Sequence, residues 1–131
     1  MPMNSQWLEE NRIVYTQLIG QLSSQEALEM SAAHEKFLKT GVAPVHIVVD
    51  LTRMESIPTN LKQNLSMGNY LRDPALGWVV LIGANVVVNF MLTVLSQAFH
   101  IRYARRESVD DALNFLRTND PTLSRESRAG K

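Results

Sequence analysis

The chain has 131 residues, of which 45% are hydrophobic and 20% charged, the proportions of one globular domain with a single substantial core. Thirteen basic and thirteen acidic residues cancel, which argues against a general nucleic-acid or membrane-surface binder, since both draw on a basic excess. There is no cysteine, so disulfides, thiolate nucleophiles and cysteine-ligated metals are excluded.

Residues 1–6 lack a basic segment followed by an apolar core, so no secretory signal is expected. Residues 7–9 suggest a short edge strand. Glu10-Asn11 then turns the chain into a stronger strand over 12–19, rich in Ile, Val, Tyr and Thr and closed by Gly20. Ser23 and Glu26 have capping-box spacing, which predicts a helix from there to about Lys39. Its apolar face is Ala27, Met30, Ala33 and Phe37, and Gly41 and Pro44 end it.

Residues 45–51 form a continuous apolar run of strand length, as expected for a strand covered on both faces. A polar loop over 52–58 leads to a second helix over about 59–71, which Asp73-Pro74 stops. Residues 78–82 read as another buried strand, ended by Gly83. The apolar stretch 78–95 is broken by Gly83, Asn85, Asn89 and Thr93 and falls short of a membrane span, so a cytoplasmic protein is expected. Over 85–98 the polar residues Asn85, Asn89, Thr93, Ser96 and Gln97 recur every three or four positions, which predicts a helix. A last strand over 100–104 and a last helix opened by Ser108 complete the order, with Val109, Ala112, Leu113 and Leu116 facing inward. Residues 1–118 form the domain, and 119–131, with Asp120-Pro121 and an Arg/Ser/Gly tail, are expected to fray.

This β(β)αβαβαβα order implies an α/β fold. It predicts a single, mostly parallel sheet of four to five strands with about four helices and right-handed crossovers. The glycine patterns of dinucleotide and P-loop sites are missing, so no cofactor is expected. His34, His46 and His100 fall on different elements without metal-ligand spacing, so no metal site is expected. No catalytic residues can be assigned. The pairs Glu9-Glu10 and Asp110-Asp111 are neighbours that do not face one another, and suit solvated charges or helix-start partners.

One junction stands out. A buried strand, a polar loop and a helix start at Thr59 would point backbone N–H groups and a hydroxyl at solvent, which suits an anion or phosphoryl group. Thr59, or Ser56, could equally be a plain N-cap contributing about 1 kcal/mol.

The element order resembles the STAS domain of anti-sigma-factor antagonists, and also the looser STAS/SEC14-like group of small bacterial proteins. The segments that carry the likeness are Leu18-Ile19-Gly20-Gln21-Leu22, His46-Ile47-Val48-Val49-Asp50-Leu51, Trp78-Val79-Val80-Leu81-Ile82 and Phe99-His100-Ile101-Arg102 before Ser108-Val109-Asp110-Asp111-Ala112-Leu113. The likeness extends from Trp7 to Leu116. In that family the loop before the second helix carries Asp-Ser-Ser/Thr-Gly, and a partner kinase phosphorylates the first Ser. Counted without gaps, Pro58, Thr59, Asn60 and Leu61 occupy those positions, so only the acceptor hydroxyl of Thr59 is kept. A shifted alignment matches Glu55-Ser56 to Asp-Ser instead.

Two functions follow from the resemblance and the residues. The first is a non-enzymatic regulatory module that binds a protein partner, such as an anti-sigma-type kinase, through Ser56, Thr59 and Asn60. The second is a small-molecule or lipid binder. Val87, Phe90, Met91 and Val94 belong to a helix with more apolar surface than one sheet face needs. That surplus could line a pocket, bury against a second copy as a homodimer, or lie under a neighbouring helix.

Overall fold

The computed structural model describes residues 3–21, 23–56, 70–83 and 102–123. They form five strands and two α-helices: β1 (Met3–Glu9), β2 (Ile13–Gln21), α1 (Ser24–Thr40), β3 (Val45–Ser56), β4 (Leu76–Ile82), β5 (Arg102–Arg106) and α2 (Val109–Asn119). The strands lie in the order β1-β2-β3-β4-β5. β1 is antiparallel to β2, and β2 to β5 are parallel. The expected α/β class and mostly parallel sheet are therefore observed. The second and third expected helices fall largely outside the described residues.

Local chemistry sets each element. Asn11 takes φ 69° in the β1–β2 turn, a left-handed conformation that asparagine tolerates better than most residues. The Ser23 capping box is complete. The Glu26 N–H donates to Ser23 Oγ at 3.1 Å, and the Ser23 N–H donates to Glu26 Oε1 at 2.9 Å. The last helix begins as expected at Ser108, whose Oγ accepts from the Asp111 N–H at 3.1 Å.

The parallel strands β2 and β3 are joined by α1, which covers one face of the sheet. α1 packs there, over Val14, Leu18, Ile47, Val49, Leu51, Val79 and Leu81, together with Tyr70 and Leu71. α2 follows the final strand and covers the opposite face. Ala112, Leu116 and then Leu123 bury Ile13, Val48, Val80 and Ile82 there.

The face that α1 buries differs in detail from the sequence expectation. Ala27, Ser31, His34 and Leu38 are the buried positions, with Met30 and Phe37 partly covered. His34 is fully buried. Its Nε2 lies 2.7 Å from Thr16 Oγ1, which is in turn 2.8 Å from Ser5 Oγ. The ring meets Tyr70 edge-on at 4.7 Å, and its Nδ1 has no hydrogen-bond partner among the described residues. Burial holds the His34 pKa down at about 3.

Four boundaries are corrected. β1 starts at Met3 rather than at 7. β3 continues to Ser56, so residues 52–56 are strand and not loop. The end of the apolar run at Leu51 marks only where β4 stops pairing, at Asp50 and Ile82. Beyond it β3 pairs with β2 alone, through Ile19–Arg53, Gly20–Met54 and Gln21–Ser56, across two register shifts. β5, described from Arg102, runs to Arg106, two residues past the expected end at Ala104. The tail expected to fray over 119–131 is packed as far as 123: Asp120 is buried and Leu123 is fully buried. α2 holds its length because its apolar stripe and the helical residues 121–123 reach across the sheet to the start of β2.

Candidate functional site

Two polar clusters sit at opposite ends of the parallel strands. At the N-terminal ends, Arg12 precedes β2, His46 begins β3 and Asp120 caps α2. Arg12 Nη2 donates to Asp120 Oδ2 at 2.9 Å and to Thr122 Oγ1 at 2.9 Å, and Arg12 Nε donates to the Pro44 carbonyl at 3.2 Å. The Trp78 N–H donates to His46 Nδ1 at 2.9 Å. That nitrogen therefore carries no proton, and the ring's proton sits on Nε2, donated to Asp120 Oδ2 at 2.8 Å. Asp120 Oδ1 takes the Thr122 N–H at 3.1 Å and its hydroxyl at 2.6 Å.

Burial lowers the His46 pKa most. Hydrogen bonding and charge from Asp120 oppose this, and Arg12 and Arg102 add to the lowering. Burial alone would raise the Asp120 carboxyl. The Thr122 hydroxyl, His46, the Thr122 N–H and the Arg12 charge outweigh it and hold the group below the usual carboxylate range. Gly77 makes room for the ring, because a Cβ there would overlap His46. Arg12, His46 and Asp120 are buried and bonded to one another, which suits a clasp better than a site that meets a ligand.

The C-terminal ends are more open. Asp50 lies where β3 loses β4, on the α2 face. Tyr15 Oη donates to Asp50 Oδ2 at 2.6 Å. The Thr52 N–H and hydroxyl donate to Oδ1 at 3.0 and 2.6 Å. Burial raises the Asp50 carboxyl, but the Thr52 hydroxyl, Tyr15 and the Thr52 N–H together leave it lowered. Burial, then the Asp50 hydrogen bond and charge, push Tyr15 up to about 12. Gly83, at φ 69°, lets the end of β4 lie directly against the Thr52 side chain. Beside it opens a cleft of about 510 Å³ lined by Gly83, Arg105, Arg106, Glu107 and Asp111. Open α/β sheets present ligands and partners at this edge, outside the carboxyl ends of the strands.

Ser56 is the last residue of β3, opposite Gln21, on the two-stranded extension that leaves this edge. Thr59 and Asn60 lie outside the described residues, as do Val87, Phe90, Met91 and Val94. Among the described residues no three His, Asp or Glu side chains gather to hold a metal ion. No helix among them is long and apolar enough to cross a membrane. The sequence reading missed Tyr15, Asp50, Thr52, Arg12, His46 and Asp120 as interacting groups. One local signal was present for both clusters, the repeated Asp-x-Thr of 50–52 and 120–122, in which the threonine can cap the aspartate.

No protein-family model matches the sequence, and no curated protein matches it. Solved structures do match in fold. The anti-sigma factor antagonist SpoIIAA in its unphosphorylated form superposes with a TM-score of 0.65 at 14% identity, over 88% of this chain and 97% of that one. An uncharacterised protein of the DUF3478 family with a SpoIIAA-like fold, from Shewanella loihica PV-4, gives a TM-score of 0.63 at 16% identity, over 87% and 91%. The Bacillus cell fate determinant SpoIIAA in its phosphorylated form gives 0.60 at 13%, over 88% and 99%. The chain thus has a SpoIIAA-like, STAS-type fold.

Proposed function

We propose that this protein is a non-enzymatic regulatory module of STAS type. It binds a protein partner at the C-terminal edge of its sheet, where β3 leaves toward Ser56, Thr59 and Asn60. The observation that carries the reading is the likeness to SpoIIAA over 97% of that chain, since SpoIIAA is an anti-sigma factor antagonist. SpoIIAA has been solved in unphosphorylated and phosphorylated forms, which supports a hydroxyl switch here. Thr59 is the proposed acceptor and Ser56 the second choice. A phosphate there would add about two negative charges, changing what a partner meets.

The test is affinity isolation of the tagged protein from its own cells. Mass spectrometry then identifies the bound partner and the modified hydroxyls. A bound kinase-type protein, with Thr59 phosphorylated and binding lost in Thr59→Asp, is the expected result. Unmodified Ser56 and Thr59 in every growth condition, with no stoichiometric protein partner, would reject the reading. Native mass spectrometry of the same material reads the alternative: a co-purified lipid would move the function to the apolar residues Val87, Phe90, Met91 and Val94.

A further inference from the structure

Among the described residues β5 is the last strand of the sheet and pairs only with β4, so its outer edge offers backbone N–H and C=O groups to another chain. Three of its five residues are arginine. Parallel pairing sets Arg102 beside Trp78 and Arg106 beside Ile82, on the α2 face of the sheet. The Arg102 guanidinium lies 5.7 Å from the centre of the Trp78 ring. The Arg106 guanidinium lies 4.4 Å from the Phe115 ring, and the two rings meet edge-on at 4.9 Å. The run Arg102–Trp78–Phe115–Arg106 is thus a ladder in which aromatic rings hold two cations on a partly open surface.

Contact with a ring restrains each guanidinium and leaves N–H groups for an acceptor. One Arg106 N–H is already used, by the Arg105 carbonyl at 2.6 Å. A charge placed only to stop strands from aggregating needs no such ordering. Two cations four residues apart on a strand are separated by about 13 Å, the spacing of carboxylates four residues apart on a second extended chain.

We propose that the β5 edge is a docking site for an extended acidic segment of a partner protein. The segment adds as a sixth strand and places carboxylates on Arg102 and Arg106. A second copy of this chain does not fit. Antiparallel pairing of β5 with itself sets arginine against arginine, and the other edge strand, β1, carries Glu9 as its one acidic residue. The chain is neutral as a whole, so the attraction is local to this edge. This proposal does not rest on the regulatory reading.

The probe is a labelled ten-residue peptide alternating Glu with Thr and Val, compared at physiological salt with its Gln counterpart. Binding is read by fluorescence anisotropy, and the site by amide hydrogen exchange. Saturable binding of the Glu peptide alone, with slowed exchange across 102–106, is expected. Arg102→Glu with Arg106→Glu should weaken binding about tenfold or more. Arg102→Lys with Arg106→Lys keeps the charge and guards against a fold defect, and should still weaken binding severalfold, because the guanidinium fork is lost. Equal binding of the Gln peptide, protection outside β5, or unchanged affinity in the lysine variant would overturn the proposal. Tighter binding of a single-stranded oligonucleotide or of anionic phosphatidylserine vesicles, competing with the peptide, would overturn it too.

Discussion

Asp50 and Asp120 use the same local device at opposite ends of one sheet. Each accepts the N–H and the hydroxyl of a threonine two residues later. Their second oxygens part company. Asp120 receives a cation and an imidazole N–H, both buried, while Asp50 receives a neutral phenol. The first arrangement compensates its charge within the protein and joins distant parts of the chain. The second keeps a net negative charge at the edge from which β3 departs. The lesson is that a hydrogen-bonded carboxylate in a STAS-type sheet holds the fold together or shapes a surface according to what its outer oxygen meets.

Removing Asp120 should break this contrast most strongly. Asp120→Ala leaves Arg12 buried without its carboxylate and His46 without its acceptor, a class of change that costs about 3–5 kcal/mol. Urea unfolding should show it as a lower midpoint. Asp50→Ala, losing a phenol and a threonine as partners, should cost clearly less.

Acid should separate the ends next. His46 and His34 both have lowered pKa values in the folded chain, so the unfolded chain binds protons that the folded one does not. Stability contributed this way is full above the unfolded value of about 6.5 and is lost as pH falls below it. For His34 the loss continues down to about 3, at about 1.4 kcal/mol per pH unit. The lowered carboxyls of Asp50 and Asp120 add the same sign later. Their stabilisation is present above about 3.9 and disappears as pH falls through their folded values. Unfolding free energy measured between pH 7 and 4 should therefore decline through the histidines first, with the cluster at Asp50 silent until the end of the range.

Gly77→Ala should sharpen the comparison by disturbing only the His46 side. The added methyl overlaps the ring and weakens the Trp78 hydrogen bond, at about 1–3 kcal/mol, visible as a lower melting temperature. Tyr15→Phe is expected to be the mildest, at about 1 kcal/mol. Its signature is electrostatic: the Asp50 carboxyl should titrate higher in an NMR pH series, while His46 stays as it was.

Much of the fold was legible because its signals are local. The apolar runs at β3 and β4, the capping box of α1 and the Ser108 cap of α2 each depend on residues within a few positions. The errors have one cause, a polar segment read by composition alone. Residues 52–56 are polar yet are strand, because β2 still supplies hydrogen-bond partners. Arg105 and Arg106 look too charged to continue the last strand, yet an edge strand tolerates charge on both faces. Asp120-Pro121 resembles a tail until Arg12 is placed beside it, a contact that no local window contains. Of the candidate site, the Tyr15–Asp50 pair was not legible, because the two residues are 35 positions apart and Asp50 lies inside a run read only as buried strand.

The Arg12–Asp120 link also sets a timetable for synthesis. Its partners are 108 positions apart. A ribosome working at about 5–20 residues per second needs about 5 to 20 s to travel that distance. Until Leu116, Asp120 and Leu123 are made, Ile13, Val48, Val80 and Ile82 have no helix to cover them, and Arg12 lacks its bond to Asp120. A chaperone that shields this bare side of the sheet thus has its work defined by the arrival of those three residues.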